Sequence, residues 1–257
     1  MKFFVIFSAV LFLLYFYTGW KFINPNSHST LANVGFWLLF LFLYLLPIST
    51  FFMRINRIEG QYIDYFTWVS YLSLGICSIL FFIFLGMDIL TVSTKIVPIE
   101  NKFDPNRKAF LGLSLKTMLA GFGGIFSIYG IVNGLRVPEI ITQKISFNKL
   151  PSGLKDFKIA HITDLHVGSQ IKAEMVQSVV DKINSINPDI VVFTGDAADG
   201  SVENYGKEME PLKNIKSKFG NYFVTGNHEY YSDLKGWLNK LSEVGFKILT
   251  NESKQIQ

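Results

Sequence analysis

Three short segments carry side chains able to hold a cation or pass a proton: Asp164-Leu165-His166, Gly195-Asp196 with Asp199 close behind, and Gly226-Asn227-His228-Glu229. Each follows a hydrophobic, strand-like run. In an extended segment residues two apart face the same way, so the Asp164 carboxylate and the His166 imidazole can converge on one cation. Taken alone, Asp-x-His also reads as a helix N-cap beside a surface histidine. Asp196 follows the run IVVFT and Gly195, a residue that permits a tight turn close to a ligand. A carboxylate placed there can bridge two ions, one on each oxygen. Asn227 adds a neutral oxygen suited to hard or borderline divalent cations. His228, adjacent to it, is better placed as an acid than as a ligand through the same face.

These segments need a scaffold, and residues 155–257 supply an alternating pattern for one. Phe157 to Thr163 reads as a strand, and residues 172–187 as an amphipathic helix with Met175, Val176, Val179, Val180, Ile183 and Ile186 at helical spacing. Asn187-Pro188 stops it, and Ile190 to Thr194 reads as a strand buried on both faces. A second helix is expected over 207–219, a strand over Tyr222 to Thr225, a third helix over 233–244 and a strand over Phe246 to Leu249. This β-α-β-α-β-α-β order predicts a largely parallel sheet covered by helices, whose ligands gather at the carboxyl ends of the strands. All three segments fall at such ends. Residues 137–154 read as a juxtamembrane linker, broken by Pro138 and Pro151, with a short edge strand at Ile145 to Phe147.

The first half is built for a different solvent. Four apolar stretches are expected as transmembrane helices, at about 3–20, 31–53, 65–87 and 117–135, within a membrane region 1–136. The first competes with a signal-peptide reading, but no small-residue cleavage site follows Trp20. Tyr15, Tyr17, Trp20, Phe36, Trp37, Tyr62, Phe66 and Trp68 sit near span ends, where aromatic rings favour the interface. In the fourth stretch, Ala120 with Gly124 and Gly130 with Gly134 form small-xxx-small pairs that let helices approach, or simply make it flexible. Lys2 argues for a cytoplasmic N-terminus, and four spans return the soluble part to the cytoplasm; Lys95, Lys102, Arg107 and Lys108 argue against this.

Charge and cysteine content narrow the function classes. The net charge is +4, yet residues 137–257 hold fourteen Lys and Arg against fifteen Asp and Glu. No clustered basic face is available to track nucleic-acid phosphates, so nucleic acid is not an expected partner. A transport path is disfavoured too, since only Asp88 and Lys116 approach the spans as charges. Cys77, the single cysteine, can form no intrachain disulfide and reads as a small buried apolar group.

Taken together, Asp164-Leu165-His166, Gly195-Asp196-Ala197-Ala198-Asp199-Gly200 and Gly226-Asn227-His228-Glu229 resemble the first three blocks of the calcineurin-like metallophosphoesterase superfamily. The runs FKIAHITDLHVGS and YFVTGNHEYY extend the likeness to its membrane-associated bacterial branch, over about residues 155–252. The resemblance implies that Asp164 and His166 bind a first metal, that Asp196 bridges two, and that Asn227 binds the second. His228 would stand near the scissile phosphate with Asp199 orienting its imidazole. Two divalent ions, Mn, Fe or Zn, about 3.5–4 Å apart would then activate a water and neutralise phosphoryl charge.

The same resemblance calls for two more blocks, a lone histidine and Gly-His-x-His. The four histidines are His28, His161, His166 and His228, so none follows His228. His161 falls on a strand, where a packed or edge position fits better than ligation. A phosphoesterase domain incomplete at its C-terminus is therefore expected, through truncation or as a genuine half-domain. The fold class is an α-helical membrane region followed by that α/β domain. The expected function is a multi-pass, membrane-anchored phosphoesterase acting on a phosphomonoester, phosphodiester or pyrophosphate, weak or inactive in this chain for want of imidazoles. Its place beside lipid makes a lipid-linked phosphate a candidate substrate. The alternative is a non-catalytic membrane protein whose remnant domain binds a partner or a metal.

Overall fold

The structure, a computed structural model, describes residues 2–22, 29–96, 105–148 and 150–256. His28 and Lys102 lie outside the described residues. The chain divides into two units: Met1–Asn56 with Tyr65–Arg136, and Arg57–Asp64 with Val137–Gln257.

The first unit is helical because its apolar runs offer the backbone no partner except itself. Helices α1 (Lys2–Phe22), α2 (Thr30–Ile55), α3 (Gln61–Ile96) and α4 (Pro105–Gly134) follow one another. Ser29 caps α2, its Oγ accepting from Ala32 N at 3.3 Å. Among the described residues three stretches are long and apolar enough to cross a membrane: Lys2–Lys21, Thr30–Ile55 and Gln61–Val92. The fourth expected span falls short of that criterion. Helix α4 is 30 residues long but opens on Pro105-Asn106-Arg107-Lys108 and is diluted by glycine.

The charges and glycines of this unit find partners that differ from expectation. Asp88 is paired, 2.6 Å from Lys21 Nζ and 2.7 Å from Tyr17 Oη, and Tyr15 Oη lies 2.9 Å from Ser73 Oγ. Cys77 is buried, as expected. Close helix approach in α4 occurs at Gly123, where an added Cβ would lie 3.2 Å from Leu80, and not at Gly124, Gly130 or Gly134, which face open space.

The second unit holds a four-stranded parallel sheet in the order β1-β2-β3-β4: β1 (Ile159–Ile162), β2 (Ile190–Thr194), β3 (Asn221–Val224) and β4 (Phe246–Ile248). Between the strands lie α5 (Ala173–Ser185), α6 (Val202–Tyr205) continuing into a 3-10 segment Gly206–Asn214, α7 (Asn227–Tyr231) and α8 (Leu234–Glu243). Ile145–Phe147 forms no strand. The helix expected over 207–219 is shorter, earlier and tighter. Pro211 has no N–H to give an α-helix, and Met209, Leu212 and Ile215, all buried, recur at the three-residue period of a 3-10 turn.

A parallel sheet in sequential order, joined by right-handed crossovers, carries its connections on one face. The buried set agrees. Ala160, Ile162, Val191, Phe193, Phe223 and Phe246 pack with Val176, Val180 and Ile183 of α5, Met209 and Leu212, and Trp237 and Leu241 of α8. Val191, Phe193, Phe223 and Trp237 are fully buried, each worth about 1.5–3 kcal/mol of transfer free energy. The opposite face carries the row His161, Val192, Tyr222 and Lys247, with His161 exposed on the edge strand and its Nε2 2.8 Å from Thr194 Oγ1. Helices thus cover one face of the sheet, and β2, read from the sequence as a strand buried on both faces, leaves Val192 only half-buried on the other.

The amino ends of the strands are held by Asp189. Its carboxylate accepts from Lys158 N and pairs with Lys218 Nζ, each at 2.7 Å. The Lys218 ammonium and the Lys158 N–H keep that carboxyl below the usual range. The candidate site residues lie at the other end.

Candidate metal centre

The loops that leave β1 and β2 stay hydrogen-bonded beyond the strands. Asp164 N donates to Gly195 O at 3.3 Å, His166 N to Asp196 O at 3.0 Å, Val167 N to Ala197 O at 2.9 Å, and Asp199 N to Val167 O at 2.8 Å. The two loops therefore move as one piece of backbone. Asp164, His166 and Asp196 all adopt positive φ, at 54°, 48° and 51°. Such a run of non-glycine residues in the left-handed region is uncommon and marks a site held by its surroundings. Asp164 and His166 converge for this reason, and not by the strand alternation expected from the sequence; His166 Nε2 lies 3.7 Å from Asp164 Oδ1.

The third loop is clamped to the second. Gly195, at φ 74°, leaves no room for a side chain, because a Cβ there would run into the backbone of Gly226; one at Gly226 would run into Asp196. The glycines before Asp196 and Asn227 thus serve the close approach of two loops. Glu229 completes the clamp. It is fully buried, and its carboxylate accepts from Ala197 N at 2.7 Å, Gly226 N at 2.7 Å and Asp196 N at 3.1 Å. Sequence reasoning gave Glu229 no role, although its position three residues into a helix that begins after Gly226 is that of a capping-box acid.

Asp196 Oδ1 accepts from His228 N at 3.0 Å, which draws the third loop towards the first two. Asp199 sits between the imidazoles: its Oδ1 is 3.0 Å from His166 Nδ1 and 2.5 Å from His228 Nδ1. A carboxylate accepts, so both Nδ1 atoms donate, and both Nε2 atoms are left for other work. The sequence reading paired Asp199 with His228 alone. The structure adds His166, whose ring meets that of His228 edge-on with centroids 4.5 Å apart. Asn227 opens α7 and is exposed. Beyond Asp199, Trp237 Nε1 donates to Gly200 O at 2.8 Å, pinning the turn from α8.

Two donor groups result, each with its ligand atoms within 4.8 Å of one another: Asp164 with His166 and Asp196, and His166 with Asp199 and His228. The first fits a divalent cation well, since two carboxylates and the Nε2 of an imidazole fixed through Nδ1 form a mixed oxygen and nitrogen set. In the second, both histidines are already tied to Asp199 through Nδ1, which makes Asp199 an orienting group behind His166.

Residues 157–254 match the calcineurin-like phosphoesterase family. The chain is 34% identical over 133 residues to a Danio rerio protein named transmembrane protein with metallophosphoesterase domain, covering 51% of this chain and 30% of that one. It is 30% identical over 245 residues to a Caenorhabditis elegans putative metallophosphoesterase, covering 91% of this chain and 50% of the relative. A Helicobacter pylori metallophosphoesterase is 36% identical over 145 residues, 56% of this chain and 37% of its own length. The chain thus spans between 30% and 50% of the length of these relatives. No solved structure matches it. Residues 157–254, with their strand-end carboxylates and imidazoles, thus carry a calcineurin-like phosphoesterase domain.

Proposed function

We propose that this chain serves a membrane-anchored, metal-dependent phosphohydrolase that cleaves a phosphomonoester, phosphodiester or pyrophosphate bond. The observation that carries the reading is the gathering of Asp164, His166 and Asp196 donor atoms within 4.8 Å at the carboxyl ends of neighbouring strands. Asp164 and His166 would hold one divalent ion, Asp196 would share it with a second, and Asn227 would bind the second. Mn, Fe or Zn suits the donor set. Bound there, such ions polarise phosphoryl oxygens and make a water nucleophilic at neutral pH.

The protein's own part is orientation and proton placement. Asp199 keeps the Nδ1 protons of His166 and His228 in place, so His166 offers its Nε2 lone pair to a cation. To give a proton to a leaving oxygen, His228 would also have to carry one on Nε2, as an imidazolium. Glu229 fixes the Asp196 and Gly226 backbones, so neither ligand loop can drift from the other.

Three apolar helices and relatives named transmembrane proteins support a multi-pass membrane location. Placement beside a bilayer supports a lipid-linked phosphate as substrate. Arg54 closes the second candidate span and Arg57 opens the adjoining piece of the phosphoesterase unit, and these basic residues support a cytoplasmic site.

Hydrolysis of an aryl phosphodiester by the purified chain should require added Mn and vanish on chelation and in Asp196→Asn. Unchanged turnover in that variant would refute the mechanism. Only one imidazole, that of His166, is among the proposed ligands, so we expect weak metal retention and low activity. Two tightly held ions per chain would contradict this. The second reading, a remnant that binds metal or a partner without catalysis, is favoured by the same shortage. Stoichiometric Mn binding without turnover of monoester, diester or pyrophosphate would select it.

A further inference from the structure

Residues 57–64 run from just past one candidate membrane span into the first turn of the next, yet they belong to the phosphoesterase unit. The bonds responsible converge on two acids. Glu59, half-buried, accepts from Ser201 N at 3.1 Å, Ser201 Oγ at 2.7 Å and Asn204 Nδ2 at 2.9 Å, all on Oε2, while Oε1 lies 3.2 Å from Ser201 N. Asp64 accepts from Tyr205 Oη at 2.6 Å and pairs with Lys172 Nζ at 2.8 Å, and Lys172 also lies over the Tyr205 ring at 4.7 Å. These contacts join positions more than a hundred residues apart in the chain.

Ser201 and Asn204 are not arbitrary anchor points. Ser201 stands two residues after Asp199, the carboxylate that holds both imidazoles, and the intervening Gly200 adopts φ 128°. A Cβ on Gly200 would lie 3.0 Å from Glu59 Oε1 and closer still to the Tyr205 ring, so the turn is packed from the Glu59 side. From the other side Trp237 holds Gly200 O. Asp199 therefore sits on a turn whose inner side is fixed by α8 and whose outer side is fixed by the span connection.

We propose that Glu59 is a positioning residue for the metal centre: by gripping Ser201 and Asn204 it sets the Asp199 carboxylate against His166 and His228. The inference rests on the metal-site reading above, because its consequence is the readiness of His166 to ligate. A partner carboxylate behind a ligating histidine is worth about 10–100-fold in metal affinity, and Glu59 acts one step further back, so about tenfold is expected from its loss.

The test uses the full chain in detergent micelles and Mn alone as probe, followed by electron paramagnetic resonance. Glu59→Ala should bind Mn about tenfold more weakly, and Glu59→Gln, which keeps one acceptor oxygen, should recover to within about threefold of the parent. Faster amide exchange at Ser201 with unchanged Mn affinity would overturn the proposal, since Glu59 would then tether the connection without positioning the site. If the parent itself binds no Mn, the metal-site reading fails, and the side-chain 15N spectrum of the histidines decides for Glu59. Loss of the Nδ1–H tautomer at His166 and His228 in Glu59→Ala supports the proposal, and unchanged tautomers overturn it. Should Glu59→Ala not fold, Ser201→Ala with Asn204→Ala removes two of the same bonds from the other side and carries the same comparison.

Discussion

Replacing Glu229 by glutamine changes one oxygen for an amide and leaves the shape of the side chain intact, which makes it a clean probe of the clamp between the ligand loops. The carboxylate takes three backbone N–H groups, two on Oε2 and one on Oε1. A glutamine can keep the pair on its carbonyl oxygen, but its NH2 then faces the Ala197 N–H, donor against donor. A hydrogen bond to a charged group is worth about 1.5–3 kcal/mol, and a buried N–H left unsatisfied costs about 1–3 kcal/mol more. The sum, about 2.5–6 kcal/mol, brackets the cost of breaking a buried ion pair and is a large part of a domain's stability. At about 1.4 kcal/mol per power of ten, amide exchange should accelerate by roughly sixty- to twenty thousand-fold in the stretches around Asp196 and Gly226. Hydrogen exchange read by mass spectrometry on the full chain in micelles measures this directly. Protection at Ala197 within about threefold of the parent would refute the reasoning, because the carboxylate would then be dispensable to the loops it bridges.

Two further outcomes follow from the same geometry. Gly195→Ala should cost at least about 1–3 kcal/mol, from a left-handed φ and a collision with the Gly226 backbone, and should raise protease sensitivity of the soluble unit, whereas Gly153→Ala, with open space around it, should not. Lys213 and Lys240 hold the Glu210 carboxyl down to about 2, so its pairing stabilises the fold above the ordinary glutamate range and that contribution disappears as pH falls towards 2; Glu210→Gln should flatten the acid limb of a stability-versus-pH curve by lowering stability near neutrality while changing little near pH 2.

Elements with a strong period were legible in the sequence, and long-range clamps were not. Helix α5 lies within the expected 172–187, since its apolar residues recur at 3.6 and Asn187, at φ 47°, ends it before Pro188. Strand β2 has the expected bounds because five apolar or β-branched residues sit between turn signals. The 207–219 stretch was misread as an α-helix, although Met209, Leu212 and Ile215 show a three-residue period once a 3-10 turn is considered. Asp164, His166 and Asp196 could be singled out from spacing after apolar runs. Their positive φ values could not, because they arise from hydrogen bonds to a neighbouring loop. The grip of Asp199 on His166 and the four bonds at Glu59 join positions far apart in the chain and leave no local pattern.

The sequential order of the strands also sets a timetable. Paired residues in neighbouring strands lie roughly thirty positions apart or fewer, as in Ile159 with Ile190, Val191 with Asn221 and Asn221 with Phe246, so each strand closes a loop of moderate length onto the strand made just before it. A chain leaving the ribosome can add them one at a time. Docking of β2 brings the Gly195 loop against Asp164, and docking of β3 delivers Glu229 and His228; β4 contributes no residue to the centre. Glu229 is thus among the last groups to arrive, and until it does the Asp196 and Ala197 amides have no carboxylate to bind, which makes the pairing of β3 the step that turns two loose loops into a ligand set.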